Sequence, residues 1–219
     1  MHVAVHFRSS EHGAEQTVRA IEAAGGRAFA VGADLTRPGA PERLVDDAVQ
    51  RLGGLDLLVA SAANFERILF DDLDATAWSR TMDLNLTSQV FVARQAVPQL
   101  RESRGSVVFV TCSSVEAPYR QHLPYVVSKA ALHQLTRALA LELAPLVRVN
   151  AVGPGTVLPP VGLSEKEVAD LARRIPLGRI GTPDDVARAV VFLAESPFIT
   201  GQQILVDGGR ALARAGVDA

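Results

Sequence analysis

Apolar and polar positions follow two different patterns along this chain. Short runs that are almost entirely apolar predict strands, and longer stretches in which apolar residues recur every three or four positions predict helices. The predicted strands are "VAVHF", "RAFAVGADLT", "LDLLVASAA", "GSVVFVT", "VRVNAVGP" and "QQILVDGG". The predicted helices cover "GAEQTVRAIEAAGG" and residues 41–52, 74–83, 86–102, 124–143, 164–174 and 183–194.

The alternation of these elements predicts the fold class. Strands that alternate with helices favour parallel strands joined by right-handed crossovers. The sequence therefore predicts one α/β domain over residues 1–219, built on a doubly wound, Rossmann-like parallel sheet. The stretch "LDLLVASAA" is nearly all apolar, which is typical of a strand covered on both faces.

Composition narrows the classes of partner. The 219 residues carry a net charge of −2 and form no basic stripe, so nucleic acid is not expected as a partner. Cys112 is the only cysteine, which excludes an internal disulfide and suits a reducing compartment. We expect a cytoplasmic protein without membrane partners, because no apolar run is long enough to span a bilayer and no signal-peptide pattern is present. No cluster has metal-ligand spacing, so no metal is expected.

Candidate chemistry is concentrated in "PYVVSKAAL". Tyr125 and Lys129 are four residues apart, so on a helix they lie on one face. A phenol has a pKa of about 10 and is a poor acid–base catalyst near neutrality. An ammonium about 4 Å away, at an effective dielectric of about 20, favours the phenolate by roughly 4 kcal/mol. We therefore expect Lys129 to lower the pKa of Tyr125, although a surface Tyr and Lys can share a helix by chance.

The neighbouring strands support a chemical role for this pair. "GSVVFVTCSS" is a predicted strand that ends in hydroxyl side chains and immediately precedes the Tyr125 helix. "VNAVGPG" ends another strand in a tight turn at Gly153, Pro154 and Gly155. Ligands of open α/β sheets bind beyond the carboxyl ends of the strands, so both segments are expected beside a substrate.

The chain resembles the short-chain dehydrogenase/reductase family over essentially its whole length. The motifs that carry the resemblance are "ADLT", "DLNLTSQVF", "VTCSS", "YVVSKAAL", "VRVNAVGPG", "RIGTPDDVARAVVFLA" and "TGQQILVDGG". Bacterial 3-oxoacyl-[acyl-carrier-protein] reductases and pteridine-reductase-like members are the most similar in these motifs. The resemblance implies an NADP-dependent oxidoreductase that acts on a small carbonyl or alcohol substrate. It also implies a homodimer or homotetramer formed through helices 86–102 and 124–143.

The resemblance assigns roles to three residues. Tyr125 would protonate the carbonyl oxygen as hydride arrives from the nicotinamide. Lys129 would lower the pKa of Tyr125 and hold the nicotinamide ribose. Asn85, in "DLNLT", matches the asparagine that holds a water in the proton relay; a kinking polar residue bonded to backbone would be compatible with that role.

The family also places a serine against the substrate carbonyl, and here the spacing departs from the pattern. Ser114 lies 11 residues before Tyr125, where the family usually has 13, and counting back 13 residues reaches Cys112. We favour Ser114 with a loop shortened by two residues, and Ser113 stays possible. His122 is interpreted as a loop histidine.

The resemblance further implies positions for the adenosine end of the cofactor. Asp34, followed by Leu35, matches the acidic residue that contacts the adenine, although an aspartate that caps the turn before "RPG" is the commoner explanation. Arg8 ends the first strand, where the family contacts the adenosine ribose. A guanidinium at this position suits a 2′-phosphate and favours NADPH over NADH, unless Arg8 is simply a solvated loop residue.

The stretch after the third predicted strand departs from the family's Asn-Asn-Ala-Gly. Ala60 and Ser61 stand in place of the two asparagines in "ASAANFER", which predicts local loosening. The small residue Ala62 would still let the cofactor pass. Pro154 and Gly155 would border the cofactor at the next strand end.

A larger departure concerns the first βα unit of the family, a strand followed by a turn of the form T-G-x-x-x-G-x-G. "MHVAVHF" corresponds to the family's second strand, so we expect strands 3–7 and 28–33 to be separated from strand 55–61. Three interpretations follow: the native protein begins upstream, the chain is a non-catalytic binding or assembly module, or a second chain fills the vacant position.

Overall fold

The computed structural model describes residues 1–159 and 162–215. Its strands are β1 His2–Phe7, β2 Arg27–Gly32, β3 Leu57–Ala60, β4 Ser106–Val110, β5 Arg148–Pro154 and β6 Gln203–Val206. Its α-helices are α1 Glu11–Ala23, α2 Ala40–Leu52, α3 Ala75–Met82, α4 Ser88–Ser103, α5 Leu123–Leu143, α6 Glu165–Arg173, α7 Pro183–Glu195 and α8 Arg210–Ala215. Every predicted strand and helix is present within a few residues of its expected bounds, and α8 is an addition that the apolar pattern did not predict.

All strand pairs are parallel, as the alternation of elements predicts. β3, β4, β5 and β6 form a four-stranded sheet in that order, and among residues 1–159 and 162–215 β1 pairs only with β2. Within the described residues, no strand hydrogen-bonds the inner edge of β1 to that of β3. The expected separation of the first two strands from the third is therefore what the structure shows.

The expectation that the third strand is covered on both faces is wrong. Val59 of β3 is 43% exposed, whereas Val107, Val108 and Phe109 of the adjacent β4 are fully buried. β4 has strand neighbours on both sides, but β3 pairs with β4 alone. An edge strand is less completely covered than a central one, so an apolar sequence did not guarantee burial here.

Helices cover both faces of the four-stranded sheet. On one face, Ala96 and Leu100 of α4 and Leu132 of α5 pack with Val107 and Phe109. On the other face, Leu193 of α7 packs against Val108 and Val152. The larger cluster also includes Leu35 and Val45, and α2 lies against α4. Helix packing, rather than strand pairing, therefore connects the β1–β2 unit to the rest of the core.

No helix among residues 1–159 and 162–215 is long and apolar enough to cross a membrane. The same part of the chain contains no group of three or more His, Cys, Asp or Glu side chains placed to hold a metal ion.

Candidate active site

The main cavity lies at the carboxyl ends of β3, β4 and β5 and has a volume of about 1040 Å³. This is the edge at which open α/β sheets bind ligands. The segments that follow the three strands line the cavity together with the start of α5. Among the lining residues are Ser61, Ala63, Phe65, Cys112, Tyr119, His122, Tyr125, Lys129, Pro154, Gly155 and Arg210.

Helix α5 places Tyr125 and Lys129 one turn apart on the cavity wall. Pro124 occupies the first turn, where its missing N–H costs no helical hydrogen bond. Lys129 is 2% exposed, and its Nζ donates a hydrogen bond to the Val110 carbonyl at 2.7 Å. Nζ lies 5.7 Å from the centroid of the Tyr125 ring. The predicted pair is therefore brought together at the cavity.

The electrostatics of the pair differ from the sequence-based expectation. Burial raises the pKa of Tyr125 above its usual value of 10, and the neighbouring Cys112 raises it further. Burial also lowers the pKa of Lys129 to about 8. The pKa of Tyr125 therefore moves in the direction opposite to the predicted one, and loss of solvation on burial is the largest cause.

Asn85 lies in a single wide π-turn, Asp83–Thr87, between α3 and α4, and it is fully buried. Its Oδ1 accepts a hydrogen bond from the Asn64 N–H at 2.8 Å. Its Nδ2 donates to the Asn64 carbonyl at 3.1 Å and to Ser128 Oγ at 3.2 Å. Asn85 therefore links the segment after β3 to the helix that carries Tyr125, and both its amide oxygen and its amide NH2 group form these hydrogen bonds.

The segment after β4 corrects the predicted position of the substrate-facing hydroxyl. Ser114 is fully buried, does not line the cavity, and its Oγ has no hydrogen-bond partner among the described residues. Cys112 lines the cavity instead, and its Sγ accepts a hydrogen bond from the Ser114 N–H at 3.4 Å. Although burial opposes it, hydrogen bonds from Ser114, Tyr119 and Tyr125 lower the pKa of the Cys112 thiol. Both serines lie in a short 3-10 turn, Ser113–Val115, where they are buried and do not line the cavity.

Tyr119 contributes a second phenol to the same wall, and the sequence analysis missed it. Its Oη lies 3.0 Å from Ser113 Oγ and 3.5 Å from Cys112 Sγ. Burial raises the pKa of Tyr119 to about 12, so the phenol keeps its proton near neutrality. Tyr119 lies in an irregular loop, where no periodic pattern could have indicated which way its side chain points.

An aromatic cluster lines the cavity beside the segment that follows β3. Phe65 stacks on His122 with ring centroids 4.0 Å apart, and its edge meets Tyr125 at 4.7 Å and Tyr119 at 6.4 Å. His122 Nδ1 lies 2.7 Å from the Glu66 carbonyl oxygen, which fixes the imidazole. The histidine therefore contacts the cavity as part of a loop, as interpreted, while Phe65 was another residue that the sequence analysis missed.

Comparison with known proteins agrees with this architecture. A family model described as enoyl-(acyl carrier protein) reductase matches residues 1–211. The chain belongs to the short-chain dehydrogenase/reductase family. It is 37% identical to 3beta-hydroxysteroid dehydrogenase 1 of Eggerthella lenta, covering 97% of this chain and 85% of that protein. It is 34% identical to an L-rhamnose 1-dehydrogenase (NAD(P)(+)) of Sphingomonas, covering 94% of this chain and 85% of that protein. The crystal structure of acetoin dehydrogenase from Salmonella typhimurium superposes with a TM-score of 0.88 at 28% identity, covering 97% of this chain and 88% of that one.

The residues assigned to the adenosine end of this short-chain dehydrogenase/reductase lie near the ends of β1 and β2. Arg8 is exposed directly after β1. Asp34 Oδ1 accepts hydrogen bonds from the Thr36 hydroxyl at 2.7 Å and the Thr36 N–H at 3.1 Å, and these bonds lower the pKa of Asp34. Leu35 is buried in the core, so only its backbone could face a ligand. Asp34 thus stabilises the turn that the commoner interpretation predicted, and its Oδ2 lies 3.7 Å from Arg37 Nε.

The residues assigned to the nicotinamide end lie closer to Tyr125. Pro154 and Gly155 line the cavity, and Gly155 approaches β6 so closely that an added Cβ would meet Asp207 Cβ at 2.6 Å. The Ala62 carbonyl accepts a hydrogen bond from Gln89 Nε2 at 3.0 Å, while its neighbours Ser61 and Ala63 line the cavity.

Proposed function

We propose that this protein is an NADP-dependent oxidoreductase that transfers hydride between nicotinamide and a carbonyl or alcohol substrate. The observation that carries the proposal is the convergence of Tyr125 and Lys129 on one cavity at the carboxyl ends of β3, β4 and β5. Membership of the family supports an alcohol or carbonyl as the substrate class. The steroid, rhamnose and acetoin dehydrogenases to which the chain is similar suggest the first compounds to screen.

Tyr125 is proposed as the general acid in the direction of reduction. Because burial raises its pKa, Tyr125 holds its proton at neutral pH and has it available for the substrate oxygen. The proton leaves Oη as the carbonyl oxygen becomes an alkoxide, and the buried Lys129 ammonium then stabilises the phenolate that remains. Reduced nicotinamide, when bound, supplies the hydride to the carbonyl carbon. In the direction of oxidation, the Tyr125 phenolate takes the proton from the alcohol.

Features of the chain fit the nicotinamide end of a dinucleotide. The cavity edge is built from the small residues Ser61, Ala63 and Gly155, and the Lys129 ammonium reaches it. Ala62, Pro154 and Lys129 are proposed to border the nicotinamide riboside. At the other end, Asp34 and the backbone of Leu35 are proposed to border the adenine.

Arg8 is proposed to distinguish NADP from NAD. Replacing Arg8 with aspartate should weaken NADPH binding at least tenfold, because a carboxylate repels the 2′-phosphate that a guanidinium would bind. Binding of NADH should weaken less or improve. The measurement is fluorescence titration of both dinucleotides. Arg19→Asp on α1, which changes charge in the same way at an exposed position, is the control and should alter neither affinity.

Phe65 is proposed to hold the apolar body of the substrate. Removing its ring with Phe65→Ala should raise KM about tenfold while kcat changes less than threefold, because the ring packs beside the reacting phenol without exchanging protons. Steady-state kinetics on a cyclic ketone measures both constants. The exposed Phe70 is a matched control, and Phe70→Ala should leave KM unchanged. A large fall in kcat with constant KM would contradict this assignment.

The separation of β1 and β2 from the remaining strands favours a second candidate, a non-catalytic binding or assembly module. In that case the chain would retain the cavity without turning over a substrate. The experiment that tests the main proposal is titration of the folded 219-residue chain with NADPH, followed by a screen of carbonyl substrates. Saturable micromolar binding with turnover supports the oxidoreductase. A chain that is folded by circular dichroism but binds no NADPH supports the second candidate.

A further inference from the structure

The wall beside Tyr125 presents a thiol where a hydroxyl was expected. Cys112 lines the cavity and lies within hydrogen-bonding reach of Tyr125, while Ser113 and Ser114 do not line it. A thiol is a weak hydrogen-bond donor compared with a hydroxyl. A carbonyl oxygen that accumulates negative charge is stabilised most when more than one donor is aimed at it. Cys112 alone therefore supports the developing charge poorly.

Tyr119 brings a stronger donor to the same place. Its Oη lies 3.5 Å from Cys112 Sγ, so the two phenols, Tyr119 and Tyr125, meet at one sulfur atom. Ser113 Oγ, 3.0 Å away, can donate to Tyr119 Oη. Tyr119 Oη also accepts a hydrogen bond from Cys112 Sγ at 3.5 Å, so the Tyr119 hydrogen is not committed to that sulfur atom. A substrate oxygen is a much better acceptor than sulfur and would compete for this hydrogen.

We propose that Tyr119 is a further catalytic residue, which donates a second hydrogen bond to the substrate oxygen while Tyr125 transfers the proton. This inference rests on the proposed function of the same site. Contacts with Phe65 and Arg210 help to hold the Tyr119 ring in place. The Phe65 ring meets it edge-on at 6.4 Å, and Arg210 Cζ lies 5.8 Å from its centroid. Burial keeps the phenol protonated, since the pKa of Tyr119 is raised to about 12.

The test combines Tyr119→Phe with changes at Cys112. Tyr119→Phe keeps the ring and its contacts with Phe65 and Arg210 but removes the donor, and it should lower kcat about 10- to 100-fold. In the Tyr119→Phe background, Cys112→Ser places a hydroxyl at the cavity wall and should raise kcat at least fivefold above that of Tyr119→Phe alone. Cys112→Ala in the same background should not raise kcat. A purely structural role for Tyr119 would not produce this selective rescue.

Separate outcomes overturn the inference and the proposed function. If Tyr119→Phe retains kcat within twofold while Tyr125→Phe is inactive, the assignment of Tyr119 is wrong and the proposed function stands. If Cys112→Ser and Cys112→Ala raise the kcat of Tyr119→Phe equally, or if neither raises it, the second hydrogen bond to the substrate oxygen is also excluded. If the unaltered chain binds no NADPH and turns over no carbonyl substrate, the proposed function fails, and the role of Tyr119 fails with it.

Discussion

Tyr125→Phe is expected to lower kcat by about 10³-fold, because the variant keeps the ring and loses the proton that the substrate oxygen must receive. The affinity for NADPH should stay within about twofold, since the hydroxyl contributes little to cofactor binding compared with the rest of the dinucleotide site. The measurement is steady-state reduction of a carbonyl substrate together with an NADPH titration of the same preparation.

The control for this prediction is a substitution of an aromatic residue that does not line the cavity. Phe91→Leu on α4 should leave kcat unchanged, because Phe91 is partly exposed and lies outside the cavity lining. If Tyr125→Phe keeps more than a tenth of the kcat of the unaltered protein, Tyr125 is not the general acid, whatever its position in the cavity.

Lys129→Met is expected to abolish turnover and, at the same time, to stabilise the fold at neutral pH. The pKa of Lys129 falls from 10.5 to about 8 because the ammonium is desolvated. Below pH 8 the folded state holds a buried charge, which costs about 3 kcal/mol of stability. Methionine removes that cost. It also leaves the Val110 carbonyl without its hydrogen-bond donor, which lowers the free energy of unfolding by about 1 kcal/mol. The net gain should be about 2 kcal/mol at pH 7.

The sign of the pH dependence makes this prediction specific. Between pH 8 and 10.5 the folded Lys129 releases its proton while the unfolded one retains it, so the unaltered protein gains stability as pH rises through this window. The advantage of Lys129→Met should therefore shrink above pH 8 and be gone above about pH 10.5. Urea unfolding at pH 7 and at the highest pH that the fold tolerates measures the difference.

Lys166 provides the matched control, because it is a lysine on α6 that is exposed to solvent. Lys166→Met should change neither the free energy of unfolding nor kcat. If Lys129→Met proves less stable than the unaltered protein at pH 7, the hydrogen bond to Val110 outweighs the cost of burying the charge. A stability difference that does not vary with pH would show that folding does not lower the pKa of Lys129, which also contradicts the prediction.

Elements with strong local patterns were predictable from the sequence. Tyr125 and Lys129 are spaced for one helix face, so helix geometry alone placed them together. The apolar runs identified each strand, and strand ends identified the edge of the sheet where the cavity lies. The position of Asn85 was also accessible from its motif, although its bonds to Asn64 and Ser128 depend on long-range packing.

Other features depend on information that no local pattern contains. Ser114 was favoured over Cys112 by assuming a shortened loop, and the structure instead keeps Cys112 at the wall. Tyr119 and Phe65 lie in irregular segments, where no periodicity fixes the direction of a side chain. The pKa of Tyr125 was predicted from charge alone, and burial, which decides its direction, is a property of the folded chain.

Because the strands form two sheets, the residues proposed to bind the adenosine end and those proposed to transfer the proton are held in the fold in different ways. β1 and β2 can open without breaking any hydrogen bond of the β3–β6 ladder, because they are joined to it through α2 packing on α4. Arg8 and Asp34 therefore depend for their positions on side-chain packing with the main core, whereas Lys129 is hydrogen-bonded to a strand of the four-stranded ladder. We expect heating to loosen the residues proposed to select the dinucleotide before the proposed proton-transfer residues, because only packing holds the former to the four-stranded sheet.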